Sequence, residues 1–387
     1  MVHIHQGYVT EADGMATMHT EVDINGEIQD VTISVESQYG KFLSPERADY
    51  ALIGLIVRSM KRHDPELICD APVTEDLLYN IREILIPSLC NSDSRMFPVK
   101  IQADIAPALD KLPFAKNSHG GVGTGISCGV DSFYSILKHY DSDYPSKKLT
   151  HLVMLDVGNF QNGSYKSRDQ AVKEKTLERS EKVSEELNLP LLKIESNFQI
   201  VIPLGNLNFH TYRSVMAVYA LQKLFRTYYY GSGYSFSDFV LNGNFALDPA
   251  YFDLLLLDCF STENLRLYSS GGECDRNDKV EFIADNPLAQ KYLHACAVKE
   301  KNCGRCEKCI RTLLALDAAN RLEDFRQSFD IDDYFKIRDY IYIYLQDKVR
   351  IPKNAPYYEK SYKILYERHK EFFDSITPET KRIFKAR

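Results

Sequence analysis

The chain has little of what membrane proteins, secreted proteins and general nucleic-acid binders need. No apolar run approaches the ~20 residues of a membrane helix. The first five residues, MVHIH, lack the charged and apolar regions of a signal peptide. The net charge of -7 is also opposite to the basic face that nucleic-acid binders usually carry. We therefore expect a cytoplasmic protein with a small-molecule substrate and with no membrane or nucleic-acid partner.

The length of 387 residues exceeds what one hydrophobic core usually serves. We predict a small N-terminal α+β domain over residues 1–115, which either binds substrate, forms a homodimer or covers the catalytic sheet as a scaffold. A ligand-binding α/β domain is predicted over 116–290. The remaining residues, 291–387, are predicted to hold a four-cysteine metal segment and a helical extension that packs as structure, residues 334–344 especially.

Local patterns in the first part of the chain predict a hairpin, two amphipathic helices and a strand. Polar and apolar residues alternate over 20–27 and 30–35 around an Asn-Gly pair, which suits a tight hairpin. The other predicted elements are helices over 48–62 and 74–88 and a strand over 99–105. The stretch from Pro107 to Gly123 has the composition of a linker.

From residue 126 onward, predicted strands alternate with predicted helices. The strands are 149–157, 189–195 and 226–230, and the helices are 167–187 and 212–225. This alternation predicts a doubly wound parallel sheet, in which ligands bind beyond the carboxyl ends of the strands. Residues 265–269, with 278–283 behind them, are predicted to form a loop over that site.

The strongest phosphate-binding candidate is the stretch 120–132, with its centre Ser-Cys-Gly-Val-Asp-Ser at 127–132. It lies between an apolar lead-in and a helix-compatible run, so its N-H groups can converge on an anion at a helix N-terminus. It is no Walker A loop, because no Lys follows Gly129. It is no dinucleotide fingerprint either, because Cys128 stands where the third Gly is required.

The stretch resembles the Ser-Gly-Gly-x-Asp-Ser loop of the PP-loop ATP pyrophosphatases, the adenine nucleotide alpha-hydrolase superfamily. The likeness covers about residues 120–322 and departs at Cys128, which occupies the first Gly of the pair. It implies an adenine nucleotide alpha-hydrolase-like sheet that binds ATP and Mg²⁺ and adenylates a substrate. From the resemblance and from their positions after the predicted strands, the residues expected to bind ATP are Ser127, Gly129, Val130, Asp131, Ser132, Leu155, Asp156, Val157, Asn197, Arg213 and Gly231.

Individual roles follow from that resemblance. Asp131 is expected to position the loop or Mg²⁺, and Arg276 and Lys279 to close over ATP from a helix start. Asp156 is expected either to lie beside adenine or to form a turn. Arg213 is expected near the phosphates, whereas His210 is interpreted as a solvated helix start.

Cys128 supports two hypotheses. It is either a small residue tolerated in place of Gly, or a persulfide carrier whose thiol pKa falls at the helix N-terminus. The second hypothesis places sulfur beside the adenylated carbon.

The four cysteines 296, 303, 306 and 309 have the spacing C-x6-C-x2-C-x2-C. Four thiolates at this spacing can close a tetrahedron around Zn²⁺, with Gly304 easing the turn. We predict a structural zinc site, with an iron-sulfur cluster as the alternative.

The loop and the cysteines together resemble 7-cyano-7-deazaguanine synthase and a less characterised branch that forms thioamides or thiolated purines in natural-product pathways. The resemblance implies an ATP-dependent ligase or sulfurtransferase, with a purine as a candidate substrate and a sulfur-donor protein as a candidate partner. Ammonia-dependent amide or nitrile formation is the alternative, and a non-catalytic ATP- or AMP-binding module is another. A zinc deaminase is disfavoured because no His-x-Glu lies near the cysteines in the sequence.

Overall fold

The computed structural model describes residues 1–114, 120–158, 170–203, 206–242, 248–296, 299–351 and 354–377. Its strands are β1 Val2–Ile4, β2 Tyr8–Ala12, β3 Met15–Ile24, β4 Glu27–Glu36, β5 Glu66–Cys69, β6 Val73–Thr74, β7 Lys100–Gln102, β8 Ile105–Ala106, β9 Gly121–Gly125, β10 His151–Asp156, β11 Leu191–Ser196, β12 Phe225–Gly231 and β13 Arg266–Ser270. Among the described residues, no helix combines the length and the hydropathy needed to cross a membrane.

The helices lie mainly between and after the parallel strands. They are α1 Asp49–Arg62, α2 Glu75–Asn80, α3 Ile86–Ser92, α4 Val130–Tyr140, α5 Gln170–Leu187, α6 Phe198–Val201, α7 Asn206–Ala220, α8 Asp253–Cys259, α9 Arg276–Ala284, α10 Pro287–Tyr292, α11 Glu307–Ala318, α12 Ile331–Val349, α13 Ala355–Arg368 and α14 Lys370–Asp374. The fold class is therefore α/β, as predicted.

One mixed sheet runs through most of the molecule, in the order β13-β12-β9-β10-β11-β4-β3-β1-β5-β7, with β2 added beside β3. The five strands from β13 to β11 are parallel to one another. The chain runs outward from β9 to β10 and β11, and then returns to place β12 on the other side of β9. This reversal is a topological switch point, where open α/β sheets bind their ligands.

The sheet crosses the predicted domain boundary near residue 115. Strand β4 pairs antiparallel with β11, through Glu195 opposite Ser34 and Ser196 opposite Ile33. The N-terminal strands thus extend the parallel sheet directly. The three-domain division stays a prediction.

The predicted hairpin is present as β3 and β4. Its turn residues Asn25 and Gly26 both have positive φ, at 56° and 93°. A two-residue turn of this kind matches the twist of the flanking strands, which is why Asn-Gly favours it.

Two other predicted elements differ from the structure. Residues 265–269 were expected to form a loop, but most of them belong to β13, the outermost parallel strand. Leu267 in this strand and Leu265 just before it are buried. The predicted helix 74–88 consists of α2, a π-helical turn at Ile81–Leu85 and α3, and it continues past Pro87 to Ser92. Burial holds the helical stretch together, because Leu77, Ile81 and Leu85 are fully buried, and parallel pairing with β12 holds β13 in the sheet.

Two hydrophobic clusters cover the two faces of the sheet. Along β10, Val153 belongs to one cluster, while Leu152 and Met154 belong to the other. Helices α1 and α7 pack together on the first face, and α4, α9 and α11 pack together on the second. The loop between β9 and α4 therefore lies at the switch point, on the side of the sheet that α4, α9 and α11 cover.

Candidate active site

The loop after β9 is closed by its own serines. The Ser127 N-H donates to Ser132 Oγ at 3.1 Å, and that hydroxyl donates to the Gly125 carbonyl at 3.0 Å. The Gly129 N-H donates to Ser127 Oγ at 3.4 Å. Helix α4 begins directly afterwards at Val130, so the N-H groups of its first turn have no partner within the helix. The loop and this helix N-terminus together form a site suited to an anion.

The Cys128 side chain points away from that site. Its φ of 57° lies in the left-handed region that favours Gly, and its side chain is 0% exposed within the hydrophobic cluster under α4. Burial raises the pKa of the thiol to about 11. The predicted fall in this pKa is therefore wrong, because desolvation outweighs the helix N-terminus. The structure favours the first hypothesis, in which Cys128 takes the place of Gly.

Asp131, Arg276 and Lys279 form the charged centre of the site. Arg276 Nη1 lies 3.1 Å from Asp131 Oδ2, and Lys279 Nζ lies 3.0 Å from Asp131 Oδ1. Lys279 is 2% exposed and also donates to the Ser232 carbonyl at 2.6 Å. Burial raises the pKa of Asp131, but the Lys279 and Arg276 cations outweigh it and hold the pKa below its ordinary value. The carboxylate is therefore ionised at neutral pH.

The two cations reach this position because α9 begins where the sequence predicted a helix start. The Asp275 carboxylate accepts from the N-H groups of Asn277 and Asp278 at 2.8 and 3.0 Å, which caps the helix. Arg276 is the first helical residue and Lys279 follows one turn later, so both share one face. The Arg276 guanidinium also donates to Thr312 Oγ1 on α11 at 3.1 Å.

These groups line a cavity of ≈ 450 Å³. Ser127, Gly129, Val130, Asp131 and Ser132 form one wall of it, and Arg276 and Lys279 form part of another. The volume is within the range of small-molecule and cofactor sites. The cavity lies next to the carboxyl end of β12, because Tyr230 and Gly233 also line it.

Six predicted ATP-binding residues are not among those that line the cavity: Leu155, Asp156, Val157, Asn197, Arg213 and Gly231. Asp156 is buried at the end of β10, where Lys173 Nζ lies 2.7 Å from its Oδ2. Gly231 packs against the first turn of α4, since a Cβ there would lie 3.3 Å from the Asp131 carbonyl oxygen. The binding roles of these six residues stay predictions.

Asn197 has a structural role in the sheet. Its Oδ1 accepts from the Thr32 N-H and its Nδ2 donates to the Asp30 carbonyl, both at 2.8 Å. The side chain thus continues the pairing of β11 with β4 beyond the end of β11.

Arg213 is 1% exposed and bonds to Gln199, and burial lowers the pKa of its guanidinium to about 10. It is held inside the protein beside Gly158.

Several cavity residues were not predicted from the sequence. Tyr234 stacks on Tyr251 with ring centroids 3.9 Å apart, and it also contacts Tyr357 from α13. The Arg311 guanidinium lies 4.3 Å from the Tyr357 ring centroid. Arg311 lies two residues after Cys309, and Tyr357 lies 46 positions after Arg311. No local sequence pattern links residues so far apart. The C-terminal extension therefore contributes to the cavity.

His210 is part of the cavity wall and is not a solvated helix start. It lies within α7, with Nδ1 3.0 Å from the Tyr230 hydroxyl and Nε2 3.0 Å from Asp248 Oδ1. The interpretation as a solvated residue is therefore wrong.

Cys274 also lines the cavity, from the loop before α9, and its sulfur lies 3.3 Å from the Tyr134 hydroxyl.

The four cysteines come together as predicted, with their sulfurs all within 4.8 Å of one another. The Cys303 and Cys309 sulfurs are 4.0 Å apart, and those of Cys296 and Cys306 are 3.9 Å apart. Gly304 has φ of 65°, so it forms the turn that was expected of it. The group could bind a metal ion.

Asn302 organises the four-cysteine cluster and was not predicted from the sequence. Its Oδ1 accepts from the Ala295 and Cys296 N-H groups at 2.8 and 3.0 Å. Its Nδ2 donates to the carbonyls of Leu293 and Ser328. One side chain thus joins the segment that carries Cys296 to the turn that carries Cys303. The sequence signal that could have identified Asn302 is its position directly before Cys303.

The segment before the four cysteines contacts the loop between β9 and α4. The His294 N-H donates to the Cys128 carbonyl at 2.7 Å, and His294, Ala295 and Cys296 line the cavity. The backbone that carries Cys296 therefore also supports the loop.

Comparisons of the chain with protein-family models, curated proteins and solved structures give no match. The function must therefore be argued from the site itself.

Proposed function

We propose that this protein is an ATP-dependent adenylating enzyme with an adenine nucleotide alpha-hydrolase-like fold. The single observation that carries the proposal is the position of Asp131 between Arg276 and Lys279, at the N-terminus of α4 and inside a cavity at the switch point of the sheet. The loop N-H groups and the two cations would hold the phosphates of ATP. Mg²⁺ bound with ATP would supply further neutralising charge next to the Asp131 carboxylate.

In the proposed reaction, a carbonyl oxygen of the substrate forms a bond to the α-phosphorus of ATP, and the bond to pyrophosphate breaks. Negative charge develops on the leaving pyrophosphate. Lys279 and Arg276 are placed to stabilise that charge, because both are fixed by hydrogen bonds before ATP binds. A nucleophile then forms a bond to the activated carbon, and AMP leaves with the former carbonyl oxygen.

The nucleophile is proposed to be sulfur, giving a thiocarbonyl, with ammonia as the alternative. Because Cys128 is buried, sulfur is not proposed to come from that residue; a separate donor would have to supply it. The cavity wall also carries the aromatic side chains Tyr234 and Tyr357 beside Arg311, which suits a planar substrate such as a purine.

For the four cysteines we propose a structural Zn²⁺ site. A tetrahedral ion with Zn-S bonds of about 2.3 Å separates its sulfurs by about 3.8 Å, close to the 3.9 and 4.0 Å found here. An iron-sulfur cluster holds its ligands around several atoms, so its cysteine sulfurs lie farther apart. Metal analysis of the purified protein separates the two.

The decisive experiment follows the oxygen. A candidate carbonyl substrate labelled with ¹⁸O is incubated with ATP, Mg²⁺ and the protein, and AMP is analysed by mass spectrometry. Label in AMP supports attack by the carbonyl oxygen on the α-phosphorus. Unlabelled AMP indicates hydrolysis by water, and ATP binding without pyrophosphate release indicates a binding module. Either result would contradict the proposal.

A matched pair of variants tests the site. Lys279→Met should lower pyrophosphate release by about 10²- to 10³-fold, because it removes a fixed positive charge from the developing anion. Lys291→Met is the control, since Lys291 lies on the surface, 3.0 Å from Glu186. Equal activity of the two variants would exclude the proposed role of Lys279.

A further inference from the structure

A second group of metal-binding side chains lies far along the sheet from the cavity, on β1 and just after β5. It consists of His3, His5 and Asp70, whose ligand atoms all lie within 4.8 Å of one another. His3 Nε2 is 2.6 Å from Asp70 Oδ1, and His5 Nδ1 is 3.0 Å from Asp70 Oδ2. We propose that these three side chains bind a divalent transition-metal ion.

The sheet brings the three residues together. Val2 and Ile4 of β1 are buried in the core at 0% and 1% exposure, so the alternation of a strand sends His3 and His5 to the opposite face. Strand β1 pairs in parallel with β5, with Ile4 opposite Cys69. The next residues along the two strands, His5 and Asp70, therefore lie side by side.

Backbone hydrogen bonds fix the two chain segments that carry the ligands. The Asp70 N-H donates to the Ile4 carbonyl and the His5 N-H donates to the Glu21 carbonyl, both at 2.9 Å. The imidazole rings of His3 and His5 lie 4.2 Å apart between centroids. The three ligands are thus held near one another before an ion arrives, which reduces the ordering that binding requires.

The separations suit a small ion after a small adjustment. Tetrahedral ligands at about 2.1 Å from an ion are about 3.4 Å apart. The two imidazole nitrogens contact different oxygens of Asp70, at 2.6 and 3.0 Å, so the carboxylate would turn until one of its oxygens faces the ion together with both nitrogens. The side chains can make this adjustment, since His3, His5 and Asp70 are 29%, 32% and 41% exposed. Water would complete the coordination on the exposed side.

The donor set defines the class of ion. Two imidazole nitrogens favour Zn²⁺, Ni²⁺, Co²⁺ or Cu²⁺ over Mg²⁺ and Ca²⁺, which prefer oxygen ligands. The bound ion would tie the first strand to the turn after β5. Because it would bind the folded chain and not the unfolded one, it would also raise the melting temperature.

The test is a calorimetric titration of Ni²⁺ into the full chain, loaded beforehand with a single equivalent of Zn²⁺ for the four cysteines and shown by elemental analysis to hold one Zn²⁺ per chain, which leaves the histidine site free for Ni²⁺. One additional Ni²⁺ per chain is expected, with a higher melting temperature. His3→Ala, His5→Ala and Asp70→Asn should each weaken binding by about tenfold or more.

His19→Ala is the matched control. His19 Nδ1 lies 2.8 Å from Asp30 Oδ2, so it repeats the His-Asp pair without a second imidazole. Unchanged Ni²⁺ binding in this variant, with weakened binding in the other three, supports the site. Absence of binding to the wild-type chain, unchanged binding in the His3 and His5 variants, or an equal loss in His19→Ala would overturn it. Melting curves without Ni²⁺ identify any variant that fails to fold.

Discussion

Replacement of Cys128 by Gly and by Ala separates a backbone role of this residue from a chemical one. The residue is buried and has φ of 57°, which an L side chain adopts at a cost of about 1–2 kcal/mol. Both substitutions remove the sulfur. Only Gly also removes the backbone strain.

The expected difference follows from comparison with Cys259, which is equally buried but lies in helix α8. At position 259, the Gly variant should be less stable than the Ala variant by about 1–2 kcal/mol, because Gly gives the unfolded chain more backbone freedom and removes one buried carbon. At Cys128 the relief of strain offsets this loss. The Gly and Ala variants should therefore differ there by less than about 0.5 kcal/mol.

Denaturant unfolding of the four variants measures these differences as free energies of unfolding. The same disadvantage of Gly at both positions would refute the strain argument. Pyrophosphate release by Cys128→Ala, measured in parallel, should stay within a few-fold of wild type. Loss of activity in a variant that remains folded would show that the thiol takes part in the chemistry after all.

Three further predictions concern charge and metal. Asp131→Asn should lower the free energy of unfolding in the absence of ATP by about 2–3 kcal/mol, because it leaves the buried Lys279 cation without its carboxylate. Urea titration measures this loss, and an unchanged unfolding midpoint would contradict the prediction. Cys306→Ser, or treatment with a strong chelator, should remove the proposed Zn²⁺ and weaken the proposed binding of ATP through the backbone contact from His294 to the loop. Elemental analysis and nucleotide titration follow the two effects. Loss of Zn²⁺ with undiminished ATP affinity would argue against the coupling. Burial raises the pKa of Asp253 from 3.8 to about 6, so its contribution to stability is present at low pH and is lost as pH rises through 6. Asp253→Asn should therefore stabilise the protein by up to about 3 kcal/mol at pH 8 and much less at pH 4, which melting at the two pH values tests.

Local sequence patterns predicted much of the fold where the deciding signal was itself local. Asn25 and Gly26 specify a turn by their own backbone preferences. The buried strand predicted over 149–157 contains β10, and the helix predicted over 167–187 contains α5, with residues 167–169 outside the described part of the chain. The cysteine spacing predicted a cluster because all four ligands lie within 14 residues of sequence.

The remaining features depend on contacts between distant parts of the chain. Asp131 and Lys279 are 148 positions apart. Only the family resemblance, with an Arg-Lys pair at a predicted helix start, suggested that the lysine belonged to a site. Tyr357 reaches the cavity from a helix with no motif. The direction of the Cys128 side chain depends on the sign of one backbone angle, which the loop as a whole determines.

The pairing of β4 with β11 affects the molecule beyond the geometry of the sheet. Without the N-terminal strands, β11 would be an edge strand with its N-H and C=O groups open to solvent. Such an edge can pair with a second chain and start aggregation. The hairpin of β3 and β4, together with the Asn197 side chain that extends the pairing, therefore covers the β11 edge of the parallel sheet against pairing with a second chain.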